Sequence, residues 1–219
     1  MPGTTVANPA NTPCATDAAT LNATPISALG LVNATLGPIS AKTNLTTSQV
    51  NGATVYTDAT ATSDVDVATI NVGAGGLGSL LGLGGILGGV LPSSLTNGLT
   101  IGITTPSEAK VDYACVNNAL QPTYSSTLTA ITINGITVPV STLGQTLSSL
   151  PGGIGTLLNG VISINVNQHT STANSDTETL LQVQLLGALG GGLTIDVGTA
   201  TASATQSSPC AGTTVPPCT

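Results

Sequence analysis

Ile131-Thr132-Ile133-Asn134-Gly135-Ile136-Thr137-Val138-Pro139-Val140 alternates apolar and polar residues on both sides of an Asn-Gly pair. A period of two is that of a half-buried strand. Asn-Gly supplies the positive φ angles that a two-residue hairpin turn needs. The segment therefore predicts a β-hairpin, with Ile131 and Ile133 on one arm and Ile136, Val138 and Val140 on the other.

The same alternation recurs to either side. Val65, Val67, Ile70 and Val72 make one candidate strand, with a slip at Ala68-Thr69 that reads as a bulge. Leu99, Ile101 and Ile103 make another. Ala109, Val111, Tyr113 and Cys115 oppose Lys110, Asp112 and Ala114. Further strands are expected at Ile162, Ile164 and Val166, at Leu181, Val183 and Leu185, and at Leu193, Ile195 and Val197. Threonine fills many outward positions, where a β-branched polar side chain suits a strand. Short strands separated by Gly, Pro and Asn predict an all-β fold, a sandwich or barrel.

Composition supports a core and an unusual surface. Of 219 residues, 40% are hydrophobic, so the chain is unlike a charge-rich disordered one. Only 5% are charged, against about 25% in ordinary domains, and there is no Trp or Phe. The surface must consist of hydroxyls, amides and glycine. With two lysines, Lys42 and Lys110, and a formal charge of −7, the chain lacks the clustered cations that phosphate backbones require. It also lacks the aromatics that stack on single-stranded bases. Nucleic acid is excluded as a partner, and anionic membranes are disfavoured. A weakly charged surface favours self-association or adsorption.

The chain divides into an extended arm (1–20), a β-rich domain (21–206) and a cysteine-held tail (207–219). Within the domain, Asp64–Val72 aligns with Asp176–Gln184 and Gly98–Thr104 with Gly192–Gly198, which reads as two related halves, 21–115 and 116–206. The first half carries an insertion, Gly73-Ala-Gly-Gly-Leu-Gly-Ser-Leu-Leu-Gly-Leu-Gly-Gly-Ile-Leu-Gly-Gly-Val-Leu91. A helix here would pay about 1 kcal/mol for each glycine relative to alanine, and Pro92 ends the run. A transmembrane helix is not expected. Leu77, Leu80, Leu81, Leu83, Ile86, Leu87, Val90 and Leu91 are instead the candidate apolar-contact residues, covering the β core or docking on a neighbour.

Cys14, Cys115, Cys210 and Cys218 are even in number and contain no CxxC, which argues for disulfides and against zinc. The expected pairing is Cys14–Cys115 and Cys210–Cys218, with an intermolecular bond through Cys218 as the alternative. Disulfides imply an oxidising, extracytoplasmic compartment. Met1-Pro-Gly-Thr has neither a basic start nor an apolar stretch, so a mature secreted chain with an added initiator Met is expected.

No catalytic, cofactor or metal residue is assigned. His169 is the single histidine and lies in a polar stretch, as a solvated surface histidine would. No G-x-S-x-G elbow accompanies it. Asp64 with Asp66, and Asp176 with Glu178, share a strand face and with Asp58 could ligate calcium, but they read better as solubilising groups at strand edges. Tyr56, Tyr113 and Tyr124 look too few and too scattered for a glycosidase cleft. Asn22-Ala-Thr, Asn33-Ala-Thr and Asn44-Leu-Thr fit the glycosylation acceptor pattern.

Leu29-Gly-Leu-Val-Asn-Ala-Thr35, Ala109-Lys-Val-Asp-Tyr-Ala-Cys115, Ser126–Pro139, Ile162-Ser-Ile-Asn-Val-Asn-Gln168 and Leu180–Ala202 follow one another in an order that resembles the choice-of-anchor P proteins of actinobacteria. The resemblance spans roughly residues 20 to 210. It implies a secreted, low-charge cell-surface protein without established catalytic residues; Thr219 ends without a sorting motif.

The sequence thus leads to an extracellular or cell-surface structural protein, not an enzyme: a self-assembling filament or coat subunit or an adhesive module, acting as a homo-oligomer or in contact with a cell wall or apolar surface. The alternative is a lipid-binding or surface-active protein whose Gly/Leu run lines a pocket or spreads at an interface.

Overall fold

At Asn134 and Gly135 the chain takes φ angles of 49° and 79°, and Ile133 faces Ile136 across the turn, as the Asn-Gly pair requires. A computed structural model of the chain describes residues 17–21, 24–28, 32–50, 53–73, 98–116, 119–143, 162–172, 175–185 and 193–203. These form the strands β1 (Asp17–Leu21), β2 (Thr24–Ala28), β3 (Val32–Leu36), β4 (Ile39–Val50), β5 (Ala53–Val65), β6 (Ala68–Val72) and β7 (Leu99–Ile103). After them come β8 (Ser107–Val116), β9 (Ala119–Ser126), β10 (Ala130–Ile133), β11 (Ile136–Pro139), a 3-10 turn (Val140–Thr142), β12 (Ile162–Ser171), β13 (Ser175–Leu185) and β14 (Leu193–Ser203). The fold is all-β, and no described helix is long and apolar enough to cross a membrane.

Two of the three antiparallel sheets are halves of one. Sheet A runs β1-β4-β5-β8-β9 and sheet B runs β11-β10-β7-β6-β3-β2. Each of β1–β2, β3–β4, β5–β6, β7–β8 and β9–β10 thus contributes one member to each sheet. The first ten strands are five long strands in an up-and-down meander, all bent along one line. Register passes unchanged through the bend from Leu21↔Ile39 to Thr24↔Leu36, and from Ile39↔Val65 to Leu36↔Ala68. It shifts by one residue between Val65↔Ser107 and Ala68↔Ile103. Strands that switch sheets at a bend are a standard way to turn a sandwich corner.

The bend explains one departure from the sequence pattern. Val65, Val67, Ile70 and Val72 do not form one bulged strand. β5 ends at Val65 and β6 starts at Ala68, with the Asp66 N–H donating to the Pro38 carbonyl at 3.2 Å and the Gly37 N–H to the Val67 carbonyl at 2.7 Å. Val67 lies exposed at this corner.

Sheet C, β12-β13-β14, packs over the bent sheet. Its strands switch their buried face part-way along. In β13, Asp176, Glu178 and Leu180 are buried, and then Leu181, Val183 and Leu185. In β14 the change falls between Val197 and Gly198. Level with Leu180, the neighbouring strands carry Asn167 at φ 50° and Gly198 at φ 65°. Left-handed residues on both sides reverse the pleat, so one half of sheet C turns Leu180, Gly198 and Ala200 toward β5 and β8. A Cβ on Gly198 would lie 2.5 Å from Leu180 Cδ1 and 2.9 Å from Val65 Cγ2, so this crossing admits only glycine.

One contiguous core draws on all three sheets, including Ile70, Ile101, Ile131 and Ile133 from sheet B, Val65 and Val111 from sheet A, and Leu181, Val183 and Ile195 from sheet C. Burying each such aliphatic side chain contributes about 1.5–3 kcal/mol. Of the aligned blocks of the sequence, Asp64–Val72 runs from the end of β5 through the bend into β6 and Gly98–Thr104 contains β7, while Asp176–Gln184 lies on β13 and Leu193–Gly198 on β14. Residues 17–20, the end of the expected arm, are the edge strand β1, paired with β4.

Candidate functional site

The chain's polar side chains converge where β8 and β9 of sheet A meet β12 and β13 of sheet C. Tyr113 on β8 is buried because its parity is that of Ala109 and Val111. Tyr124 follows on β9, whose register with β8 places it opposite Val111. On the facing sheet, Ser171 pairs with Asp176 and His169 with Glu178. Two register pairs thus stand side by side, one hydroxyl–carboxyl and one imidazole–carboxyl.

Asp176 is the centre of the cluster, only 6% exposed. Its Oδ2 accepts a hydrogen bond from the Tyr113 hydroxyl, and its Oδ1 accepts from the hydroxyls of Tyr124 and Ser171. Those two hydroxyl oxygens are themselves 2.6 Å apart. The Tyr124 ring stacks on His169 with centroids 5.0 Å apart and planes 28° apart.

These contacts set the charges. Burial by itself would raise the Asp176 pKa, but three hydroxyl donors outweigh it and hold the carboxyl below its usual range. Burial, and then the bond to Asp176, push the Tyr113 phenol well above its ordinary value. The bond to Asp176 likewise raises Tyr124. Glu178 is 3% exposed and accepts no hydrogen bond from a described residue. Burial raises its pKa, and the imidazole of His169 works against that rise.

A second polar row crosses the outer face of sheet A. Lys42 Nζ lies 3.5 Å from Asp64 Oδ2, which also accepts from Ser40 Oγ at 2.7 Å. Lys110 Nζ lies 3.3 Å from Asp112 Oδ2, and Thr60 donates to Asp112 at 2.6 Å. Glu108, opposite Asp64, has its pKa raised by burial and by that neighbouring carboxylate.

The arrangement is a tether between sheets. Ser171 spends its hydrogen bonds on Tyr124 and Asp176. Among the described residues no group of three or more His, Cys, Asp or Glu side chains could hold a metal ion.

Several sequence readings change here. Asp176 and Glu178 are buried rather than solubilising groups at a strand edge. Asp66 lies in the bend, not on a strand face with Asp64. Tyr113 and Tyr124 are not scattered, since both reach one carboxylate. His169 is exposed, as expected, but stacked. The apolar-contact residues Leu77, Leu80, Leu81, Leu83, Ile86, Leu87, Val90 and Leu91 lie outside the described residues, as do Cys14, Cys210 and Cys218. Cys115 occupies the β8 position opposite Leu120, and the disulfide pairing lies outside what is described. The tether is not legible in the sequence because its residues come from four strands, and Asp176 and Glu178 meet Ser171 and His169 only through the β12–β13 register.

No protein-family model matches this chain, and no curated protein and no solved structure matches it.

Proposed function

We propose that this chain is a secreted structural protein of a bacterial surface, a self-assembling subunit of a filament or coat or an adhesive module. The observation that carries the reading is edge strand β1. Natural edge strands are blunted by proline, lysine or local kinks that prevent pairing with another chain. Here β2 carries Pro25, β9 Pro122 and β11 Pro139, while β12 and β14 carry the left-handed Asn167 and Gly198. Asp17-Ala-Ala-Thr-Leu21 of β1 has none of these and, among the described strands, pairs only with β4. Its outer edge is a template for a strand from the next subunit, and a contact of that head-to-tail kind propagates into fibres.

The neutral, hydroxyl-rich composition, the four cysteines and the resemblance to secreted actinobacterial surface proteins support the same reading. The tether fits it too, since a subunit that bears load gains from locking its sheets together.

Negative-stain electron microscopy with light scattering on the oxidised full chain tests the proposal. Regular fibres or sheets are expected. Thr20→Lys, which puts a lysine on the open edge, should abolish them, whereas Gln121→Lys on β9 should not. Discrete monomers at every concentration would overturn the filament and coat reading and leave an adhesive module, and bound lipid in the same sample would favour a lipid-binding protein instead.

A further inference from the structure

We infer that the outer face of sheet B is a second self-association surface, one that packs against the same face of another copy of this chain. The inference rests on the assembly reading above and adds a lateral contact to the edge contact at β1.

Charge is segregated within the fold. The chain has two lysines and nine carboxylates. Both lysines and Asp17, Asp58, Asp64, Glu108 and Asp112 lie on strands of sheet A. Asp176, Glu178 and Asp196 lie on sheet C, and Asp66 lies in the bend. The six strands of sheet B carry no charged residue.

Because the inward positions of β3, β6, β7 and β10 are buried apolar residues, their outward positions form rows of small neutral groups, most of them polar. Asn33, Asn71 and Thr100 make one row, and Thr35, Thr69 and Thr132 lie along another two register positions away, with the buried Ala34, Ile70 and Ile101 between them. Thr100 Oγ1 already donates to Asn71 Oδ1 at 2.8 Å across adjacent strands. Hydroxyls and amides both donate and accept, so such a face is complementary to itself, as a two-fold contact demands.

Charge selects the occupant. Two copies of a chain with formal charge −7 repel where their few exposed carboxylates meet. Lys42 and Lys110 offer no relief, because each is already engaged by a carboxylate of its own sheet. Contacts through sheet A would set carboxylates against carboxylates, and a contact through sheet C would do the same at Asp196, its exposed carboxylate. Sheet B is the described surface on which two copies meet without that cost.

Size sets the strength. Six strands about 4.8 Å apart and about five residues long give a face of roughly 500 Å². Two such faces bury about 1,000 Å², the lower limit of a specific interface. Association through this face is therefore weak and concentration-dependent. It also tightens with salt, which screens the repulsion, whereas an ion-paired contact would loosen.

Sedimentation velocity of the oxidised full chain at low and high salt tests this, using wild type and Asn33→Asp/Thr137→Asp. Both substituted positions are exposed, so the fold is expected to survive, with circular dichroism and thermal melting as the check. Wild type should associate more tightly at high salt. The double variant should associate about tenfold more weakly or worse, because like charges now face each other. The control Ser125→Asp, on sheet A beside Lys110, should match wild type. Assembly that weakens with salt, or that survives in the double variant as it does in the control, overturns this inference and leaves the edge reading standing. A wild type that stays monomeric at all concentrations overturns both. If that monomer is retained on an insoluble neutral polysaccharide and the double variant is not, the face serves a glycan and not a second copy.

Discussion

The hydroxyl of Tyr113 donates a hydrogen bond to Oδ2 of Asp176, joining β8 to β13 across 63 positions of chain. It is a buried bond to a charged acceptor, a class worth about 1.5–3 kcal/mol. Tyr113→Phe keeps the ring and removes the donor, and should cost about that much in equilibrium denaturation. Tyr124→Phe should cost less, because the Asp176 oxygen that it serves keeps the Ser171 hydroxyl. A double-mutant cycle between Tyr113→Phe and Asp176→Asn should return a coupling of about 1–3 kcal/mol. A coupling near zero would mean that the two residues do not act on one another.

The fold class could be read from the sequence where the core is aliphatic. β7, β10, β12, β13 and β14 alternate Ile, Leu and Val with polar residues, and the Asn134-Gly135 turn declares itself. Most of sheet A could not be read in this way. The segment Ala53-Thr-Val-Tyr-Thr-Asp-Ala-Thr-Ala-Thr-Ser-Asp-Val65 is a 13-residue strand whose inward face includes Ala61 and Ser63. It faces Gly198 and Ala200 of sheet C, and small residues on both sides let the layers approach but leave almost no hydropathy contrast. The bend was hidden for a different reason: Asp66-Val67 continues the apolar alternation while the backbone changes sheet. The tether was hidden because a pattern in one strand cannot report on a bond to another.

Asp176 and Glu178, two residues apart, give stability opposite dependences on pH. The folded-state pKa of Asp176 is lowered, so its contribution is fully present above the unfolded value and is lost as pH falls through the folded one. That of Glu178 is raised, so its contribution is complete below the unfolded value and is lost as pH rises through the folded one. Glu178→Gln should therefore be more stable than wild type at neutral pH and should lose this advantage in acid. Tyr113→Phe removes one of the donors that hold Asp176 ionised, so its acid unfolding should begin at higher pH than that of wild type. Urea midpoints measured from acid to neutral pH check both; a Glu178→Gln profile parallel to wild type would refute the first.

Gly198→Ala tests the face switch of sheet C. The alanine would be placed at φ 65° with its Cβ 2.5 Å from Leu180 Cδ1. The left-handed conformation costs a non-glycine residue about 1–2 kcal/mol, and overpacking adds about 1–3 kcal/mol. A loss of about 2–5 kcal/mol is expected. Leu180→Ala in the same chain should relieve part of the clash, so the double variant should be less destabilised than the two single losses added together. Strict additivity would show that Leu180 is not what crowds the glycine.

The hairpin turn separates two roles of a single asparagine. Asn134 tolerates φ 49° better than most residues, and its Oδ1 accepts a hydrogen bond from the Thr100 N–H at 2.7 Å. That bond extends the pairing of β7 with β10 beyond the end of the ladder, beside the Asn134 N–H bond to the Thr100 carbonyl at 2.8 Å. Asn134→Asp keeps both the acceptor and the tolerance and should be the mildest of the three changes. Asn134→Gly keeps the conformation but loses the acceptor, a cost of about 1 kcal/mol, with about 0.5–1 kcal/mol more for glycine's entropy. Asn134→Ala loses the acceptor and also meets the left-handed penalty, for about 2–3 kcal/mol in all. The order Asp, Gly, Ala in thermal melts would establish that the side chain caps β7 as well as turning the chain. Gly equal to Asp would reduce Asn134 to a turn residue and leave Thr100 to find its partner elsewhere.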